Sequence, residues 1–258
     1  MSLRPFKLAL VQMEVQPGQK RANLARAEVL IAEAALNGAR VAILPETMSL
    51  GWTDQSAFIG ADSIPIGVSC QALMAMAKSS GLHICAGLVE RDSDSIYNSA
   101  VLIDPAGSLL LRHRKLNELE IAHNMYQCGT ELRVAETAFG RFGIMICADA
   151  FVPGQFIGRA LGHMGAEVIL SPSAWAVSAN HDNKKDPYGQ LWRDNYQPVA
   201  KKFGLWIAGA SNVGKIVSGP WRGRKCIGCS LVVGPKGQVV VQGPYGESAE
   251  AIIYVEIH

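Results

Sequence analysis

Cys147 has the chemistry and the position expected of a nucleophile. It ends the apolar segment 142–146 and is followed by Ala148-Asp149-Ala150, so its thiol lies where a strand turns into the next element. Such an elbow exposes the thiol and directs the following backbone N–H groups toward a developing oxyanion. An unperturbed thiol, with a pKa of about 8.5, is mostly protonated at neutral pH and needs a nearby base or cation. The alternative is a buried cysteine that only packs within a strand.

Glu46 and Lys115 could supply that base and that cation. Glu46 directly follows the apolar segment 41–45, where a carboxylate is costly to bury unless it is paired or acts as a base. Lys115 ends the basic segment 112–115, and an ammonium beside a thiol favours the thiolate and can stabilise an oxyanion. The alternatives are an acidic helix start in an exposed loop for Glu46 and a solvated basic turn for Lys115.

Strands and helices that alternate along the chain must position these residues. Strands are predicted over 6–13, 41–44, 82–89, 97–104, 108–112, 144–146, 167–170 and 205–210, with a hairpin over 226–241. Helices are predicted over 19–37, 69–80, 153–165 and 186–203, and a Gly-Arg-Phe-Gly turn over 140–143. No linker, repeat or low-complexity tract interrupts residues 1–258, which we therefore interpret as a single domain. The pattern indicates an α/β fold with a mixed sheet.

Composition excludes several classes of protein. The chain has 258 residues, 49% of them hydrophobic and 18% charged, which is unlike a disordered chain or a disulfide-stapled miniprotein. With 24 basic and 22 acidic residues, the net charge is only +2 and no long block of one sign occurs. A nucleic acid or an anionic membrane is therefore not the expected partner.

Cysteine usage and the absence of targeting signals favour a cytoplasmic protein. No apolar run approaches the 18 residues of a membrane span, and residues 1–14 lack the features of a signal peptide. Several of the six cysteines lie in apolar runs, as expected of free thiols in a reducing compartment. Cys226 and Cys229 have CxxC spacing, but no second pair completes four metal ligands, and no nucleotide-binding motif occurs. We expect neither a metal nor a cofactor.

The three candidate residues occur in an order that resembles the nitrilase superfamily of carbon–nitrogen hydrolases. The stretches that carry the resemblance are Ile43-Leu44-Pro45-Glu46, Arg114-Lys115-Leu116 and 143–149 around Cys147, supported by 8–12, 97–104, 171–175 and 210–214. They run in family order over nearly the whole chain. The resemblance implies a four-layer α-β-β-α sandwich with two mixed β-sheets, assembled as a homodimer or larger homo-oligomer through its outer helices.

The resemblance also implies roles for individual residues. It makes Glu46, Lys115 and Cys147 a catalytic triad, and we expect the Ala148 N–H beside the oxyanion. Trp175 is expected near the substrate only because it lies close to the triad segments. Many members carry a second glutamate after the lysine; Glu118 and Glu120 both fit, and we favour Glu120. Where members often have Arg-Phe-Pro after the cysteine, this chain has Phe151-Val152-Pro153, so an inherited substrate preference is not expected.

The expected reaction is hydrolysis of a small amide, of the omega-amidase or carbamoylase kind, through a cysteine thioester. Attack on a nitrile would give a thioimidate instead, and the residues do not distinguish the two. Three other hypotheses remain open: a silent relative that only binds ligand, a Cys–His hydrolase using one of six histidines, and a metal-binding module at the CxxC.

Overall fold

The structure is a computed structural model that describes residues 3–258, and these residues form fifteen strands and five α-helices. The strands are β1 Phe6–Gln12, β2 Val41–Ile43, β3 His83–Asp92, β4 Ser95–Ile103, β5 Leu109–Arg114, β6 Val134–Thr137, β7 Gly140–Ile144, β8 Val168–Ser173, β9 Ala176–Val177, β10 Trp206–Ser211, β11 Val213–Lys215, β12 Lys225–Ile227, β13 Leu231–Val233, β14 Val239–Gln242 and β15 Ala251–Ile257. The helices are α1 Lys20–Leu36, α2 Ala57–Gly60, α3 Val68–Ser80, α4 Phe156–His163 and α5 Gln190–Phe203.

Two six-stranded mixed sheets form the centre of the molecule. The first has the order β15-β1-β2-β3-β4-β5 and the second the order β14-β13-β10-β8-β7-β6. Parallel pairing joins β1 to β2 and β2 to β3 in the first sheet, and β7 to β8 and β8 to β10 in the second. Antiparallel strands complete both sheets, and β9, β11 and β12 form a small separate sheet.

Alternation along the strands divides the buried side chains into three layers. Leu8 and Leu10 of β1 face the second sheet, whereas Ala9 and Val11 face α1 and α3. On the other side, α4 and α5 cover the second sheet through a cluster that includes Leu161 and Tyr196. Because each sheet is apolar on both faces, it needs cover on both. This arrangement confirms the predicted α-β-β-α sandwich.

Several element boundaries differ from the sequence prediction. The predicted turn at 140–143 is wrong: these residues belong to β7, where Gly143 gives Leu161 room to pack. The helix predicted from 153 begins only at Phe156, because Gly154 and Gln155 have left-handed backbone angles that break it. Strands β6, β9, β11 and β15 and helix α2 were not predicted. Within residues 3–258, no helix is long and apolar enough to cross a membrane.

Candidate active site

Glu46, Lys115 and Cys147 meet in one buried site, although they lie 69 and 32 residues apart along the chain. Each follows the end of a strand: β2 for Glu46, β5 for Lys115 and β7 for Cys147. The Lys115 Nζ lies 2.8 Å from the Glu46 Oε1. The thiol of Cys147 lies close enough to interact with both of these groups and with the Ala174 N–H. A base and a cation are thus in contact, and the thiol lies near enough for the charges of both to shift its pKa.

The loop that carries Glu46 is fixed by close backbone packing. Its N–H donates to the Ser173 carbonyl at 3.2 Å, which joins the end of β2 to the end of β8 across the two sheets. Thr47 has a φ of 46°, an uncommon conformation for a residue with a side chain. Beneath the loop, Gly87 lies so close that a Cβ there would be 2.5 Å from the Glu46 Cα. The Asn98 Nδ2 also donates to the Glu46 Oε1 at 2.7 Å.

Lys115 lies between two buried carboxyl groups. Besides Glu46, the Glu118 Oε2 is 3.3 Å from its Nζ, and the three side chains are nearly inaccessible to solvent. Burial alone would lower the pKa of Lys115, but the carboxylates of Glu118 and Glu46 hold it well above the usual value. Burial raises the pKa of Glu118 to about 7 in spite of the neighbouring ammonium. Lys115 is therefore a permanent cation in this site.

The structure corrects the choice between the two glutamates after the lysine. Glu118 contacts Lys115, whereas Glu120 is exposed at the start of a 3₁₀ turn, Glu120–Ala122. The prediction that Glu120 is the glutamate beside Lys115 is therefore wrong, because Glu118 occupies that place. Glu118 lies three positions after Lys115, and the short loop between them turns the Glu118 side chain inward. This turn was not visible in the sequence.

Cys147 occupies a strained elbow and is half-buried. Its φ of 43° is left-handed, as is often found where a strained residue is held at a functional site. Burial and the Glu46 carboxylate raise the pKa of the thiol well above its usual value, against the opposing effect of Lys115. The resting sulfur therefore carries its proton, and attack requires a base to remove it.

Ala148 and Trp175, the two residues expected near the substrate, both lie beside Cys147. Ala148 follows it in the elbow, and its carbonyl accepts a hydrogen bond from the Asn117 Nδ2 at 2.7 Å. The Trp175 ring is buried, stacks on Trp192 with centroids 4.5 Å apart, and belongs to the cluster against which Cys147 packs. This wall of the site is therefore aromatic.

Two residues that hold the site together were not identified from the sequence. Asn98 orients Glu46, and Asp149 accepts hydrogen bonds from the backbone on either side of the site. Both lie inside the stretches that carry the family resemblance, 97–104 and 143–149. Their location in these stretches was the only feature of the sequence that could have identified them, because an asparagine or an aspartate has no reactivity that marks it as part of a site.

The cysteine pair and the histidines have other surroundings. Cys226 and Cys229 are buried, on either side of a turn at Gly228. Across the chain from Leu3 onward, no group of three or more histidine, cysteine or acidic side chains is arranged to hold a metal ion. His113 is the histidine nearest in sequence to Lys115. Its Nε2 forms a hydrogen bond with Asp149 rather than with Cys147.

Known proteins resemble this chain over nearly its full length. The carbon–nitrogen hydrolase family model matches residues 7–258. A protein named nitrilase from Pyrococcus abyssi is 32% identical over 257 residues, covering 98% of this chain and 90% of the relative. The omega-amidase NIT2 of Xenopus tropicalis is 28% identical over 266 residues, covering 98% and 88%.

A solved structure agrees with these matches. Saccharomyces cerevisiae Nit3, described as a member of branch 10 of the nitrilase superfamily, superposes with a TM-score of 0.80 at 25% identity, covering 98% of this chain and 90% of that one. The match to the family model and the shared sandwich lead to one conclusion. The chain belongs to the carbon–nitrogen hydrolase family of the nitrilase superfamily.

Proposed function

We propose that this protein is an amidase that hydrolyses a small non-peptide amide through a thioester on Cys147. One observation carries the proposal: the Lys115 Nζ lies 2.8 Å from the Glu46 Oε1, and the Cys147 thiol lies within the electrostatic reach of both groups. A protonated thiol beside a carboxylate is a nucleophile with its base already in place. The fixed ammonium of Lys115 supplies positive charge where an oxyanion would develop.

The reaction proceeds in two halves. Glu46 accepts the thiol proton as the sulfur attacks the carbonyl carbon, and Lys115 with the Ala148 N–H stabilises the tetrahedral oxyanion. Glu46 then gives the proton to the leaving nitrogen, which departs as ammonia or an amine and leaves a thioester. A water molecule, deprotonated by Glu46, attacks the thioester carbon and releases the carboxylic acid and the free thiol. Glu118 and Asn98 hold Lys115 and Glu46 in place during both halves.

Nitrile hydrolysis is the second candidate, favoured by the relative named nitrilase at 32% identity. The same thiol would add to the nitrile carbon to give a thioimidate. We prefer the amide because the omega-amidase relative acts on amides by its name. A catalytically silent binding protein is disfavoured because all three groups are present in one site.

The test is a search for the covalent intermediate together with product release. The purified protein would be incubated with propionamide, with a half-amide of a short dicarboxylic acid, with an N-carbamoyl amino acid and with propionitrile, and ammonia would be measured. Intact-mass spectrometry after acid quenching would detect an acyl group on Cys147. We expect ammonia and an acyl adduct with at least one amide, and more slowly or not at all with the nitrile.

Matched variants decide whether the triad is responsible. Cys147→Ala removes the nucleophile without adding bulk, so activity should fall at least 10³-fold with an unchanged circular dichroism spectrum. Cys128→Ala, at an exposed thiol, is the control and should retain full activity. Residual turnover above about one per cent in Cys147→Ala would contradict the proposal. Turnover of the nitrile alone would replace the amidase by a nitrilase.

We further propose that residues 1–258 act as one catalytic domain in the cytoplasm. The apolar layer shared by the two sheets supports a single domain. All six cysteines are free thiols, which fits a reducing compartment. Fractionation of cells that express the tagged protein would test the location.

A further inference from the structure

Asp149 is fully buried, and each of its two carboxylate oxygens has two hydrogen-bond partners. Its Oδ1 accepts from the Leu116 N–H at 3.0 Å and the Asn117 N–H at 2.8 Å. Its Oδ2 accepts from the Ile146 N–H at 2.8 Å and lies 2.8 Å from the Nε2 of buried His113. A buried carboxylate with four partners is a rigid junction, since losing any one leaves a polar group without a partner.

The four partners come from the two segments that carry the reacting groups. His113 precedes Lys115 by two residues, and Leu116 and Asn117 follow it, so the carboxylate contacts the lysine segment on both sides. Ile146 directly precedes Cys147, and Asp149 itself lies two residues after it. One carboxylate therefore joins the strand end that supplies the cation to the elbow that supplies the thiol.

The same contact maintains the unusual conformation of the elbow. Cys147 is left-handed with a φ of 43°, whereas Ile146 before it is extended with a φ of −107°. The bond from the Ile146 N–H to Asp149 closes the short turn in which this change occurs. The strain of the left-handed residue persists only while its surroundings hold it. The Ala148 carbonyl is held as well, by Asn117.

The charge of the junction is maintained by its partners. Burial alone would raise the pKa of Asp149, but the hydrogen bonds from His113 and Ile146 outweigh it and keep this pKa below its usual value. The carboxylate is therefore ionised throughout the neutral range. The negative charge favours a His113 tautomer with a proton on Nε2, facing Asp149.

We propose that Asp149 and His113 form a positioning pair that couples the Cys147 elbow to the Lys115 loop and so sets the geometry of attack. The proposal rests on the function proposed above and adds two residues to it, neither of which touches substrate. A shift of about 1 Å in a reacting group lowers turnover by about 100-fold. Substrate affinity should change little, because the aromatic wall and the Glu46 loop remain in place.

Three variants and a control test the pair. Asp149→Asn replaces one acceptor oxygen by a donor that faces the Ile146 N–H. His113→Leu removes the imidazole donor, and His113→Gln keeps a donor of similar reach. His83→Gln, at a buried histidine of β3 whose ring packs against Phe139, is the control for loss of a buried imidazole elsewhere. Each protein would be assayed for kcat and KM with the best amide and for the rate of Cys147 alkylation by iodoacetamide.

We expect kcat to fall about 100-fold in Asp149→Asn and His113→Leu, with KM within about threefold of the wild-type value. His113→Gln should recover most of the loss, and His83→Gln should keep the wild-type kcat even if its Tm falls. Alkylation of Cys147 should slow in parallel with kcat. A purely structural pair would instead lower Tm and leave kcat of the folded protein unchanged, which would overturn the proposal.

The test remains decisive if one variant does not fold or if the wild-type protein hydrolyses none of the amides. If Asp149→Asn does not fold, the comparison of His113→Leu with His113→Gln carries the test, because the backbone partners of Asp149 stay intact in both. If the wild-type protein hydrolyses none of the amides, the proposed function fails. In that case, equal alkylation rates in the wild type and His113→Leu would overturn the positioning pair, and a slower rate in His113→Leu would support it.

Discussion

At the residue scale, Lys115 and its two carboxyl neighbours determine the electrostatics of the site. One ammonium faces Glu46 at 2.8 Å and Glu118 at 3.3 Å, all out of contact with solvent. Two ionised carboxylates around one buried cation would leave a net negative charge, which burial opposes. Burial raises the pKa of Glu118 to about 7, so that Glu118 can keep its proton and the site avoids a second negative charge.

This pKa leads to a prediction about stability and pH. In the folded chain the Glu118 carboxyl keeps its proton up to about pH 7. In the unfolded chain the same carboxyl loses its proton near its ordinary pKa of 4.5. Between these values the folded state binds more protons, so the contribution of Glu118 to stability falls as the pH rises. Glu118→Gln removes that dependence. The free energy of unfolding of the wild type relative to this variant should drop by about 2 kcal/mol between pH 5 and pH 7.5.

Urea unfolding at the two pH values measures this difference. Glu120→Gln is the matched control, because Glu120 is exposed and lies only two residues away. It should leave the pH dependence as it is in the wild type. If Glu118→Gln and the wild type lose stability in parallel over this range, Glu118 does not titrate there.

At the element scale, the ends of β2, β5 and β7 bring the three reacting groups together, and close packing fixes the end of β2. Gly87 in β3 lies under the Glu46 loop, with the Pro45 carbonyl and the Thr47 N–H both 2.7 Å from the position of a Cβ. The Gly87 N–H also donates to that carbonyl at 3.0 Å, so strand and loop cannot separate without losing a bond.

Gly87→Ala should therefore displace Glu46 while leaving every catalytic group in the chain. Because the added methyl group meets backbone atoms rather than a flexible side chain, the loop must move, at a cost of about 1–3 kcal/mol. We expect kcat/KM to fall about 100-fold. Gly158→Ala in α4 is the control, since its Cβ would meet only the side chains of Val199 and Met145, at ordinary distances of 3.4 Å and 3.9 Å. Steady-state kinetics and thermal melts of both variants check the prediction, and equal kinetics would contradict it.

At the scale of the whole molecule, the outer helix layers still expose large apolar side chains. Phe156 at the start of α4 is 68% exposed and Leu191 at the start of α5 is 50% exposed. These helices contact one another over the second sheet, so the two residues lie on one layer. The family resemblance predicts assembly through the outer helices, and these two side chains are the large apolar groups that α4 and α5 expose. We propose that this layer pairs two copies of the chain.

Sedimentation velocity at micromolar concentrations tests this pairing. The wild type should sediment as a dimer or larger assembly, and the double variant Phe156→Glu/Leu191→Glu should sediment as a monomer, because a buried charge opposes association. Leu36→Glu, at an exposed position of α1 on the opposite layer, should not change the assembly. A monomeric wild-type protein, or dissociation by Leu36→Glu alone, would contradict pairing through α4 and α5.

The sequence by itself determined the fold class, the family and the three residues of the site. Apolar runs predicted most strands, because each sheet is buried on both faces, and period-3.6 patterns predicted most helices, because each helix is buried on one. Glu46 and Cys147 were identifiable because each follows an apolar segment, whereas Lys115 follows a basic one and was identified through the family resemblance. The family resemblance supplied the layer order and the roles.

Only the tertiary structure decided which glutamate faces the lysine and what holds the elbow. Glu118 and Glu120 are nearly equivalent in sequence, and the turn of the loop after Lys115 buries one and exposes the other. Three partners of Asp149 lie 32 to 36 residues away along the chain and the fourth lies within one turn, so no local pattern reveals the set. Contacts between distant segments depend on how two sheets pack, and side-chain type alone does not encode that geometry.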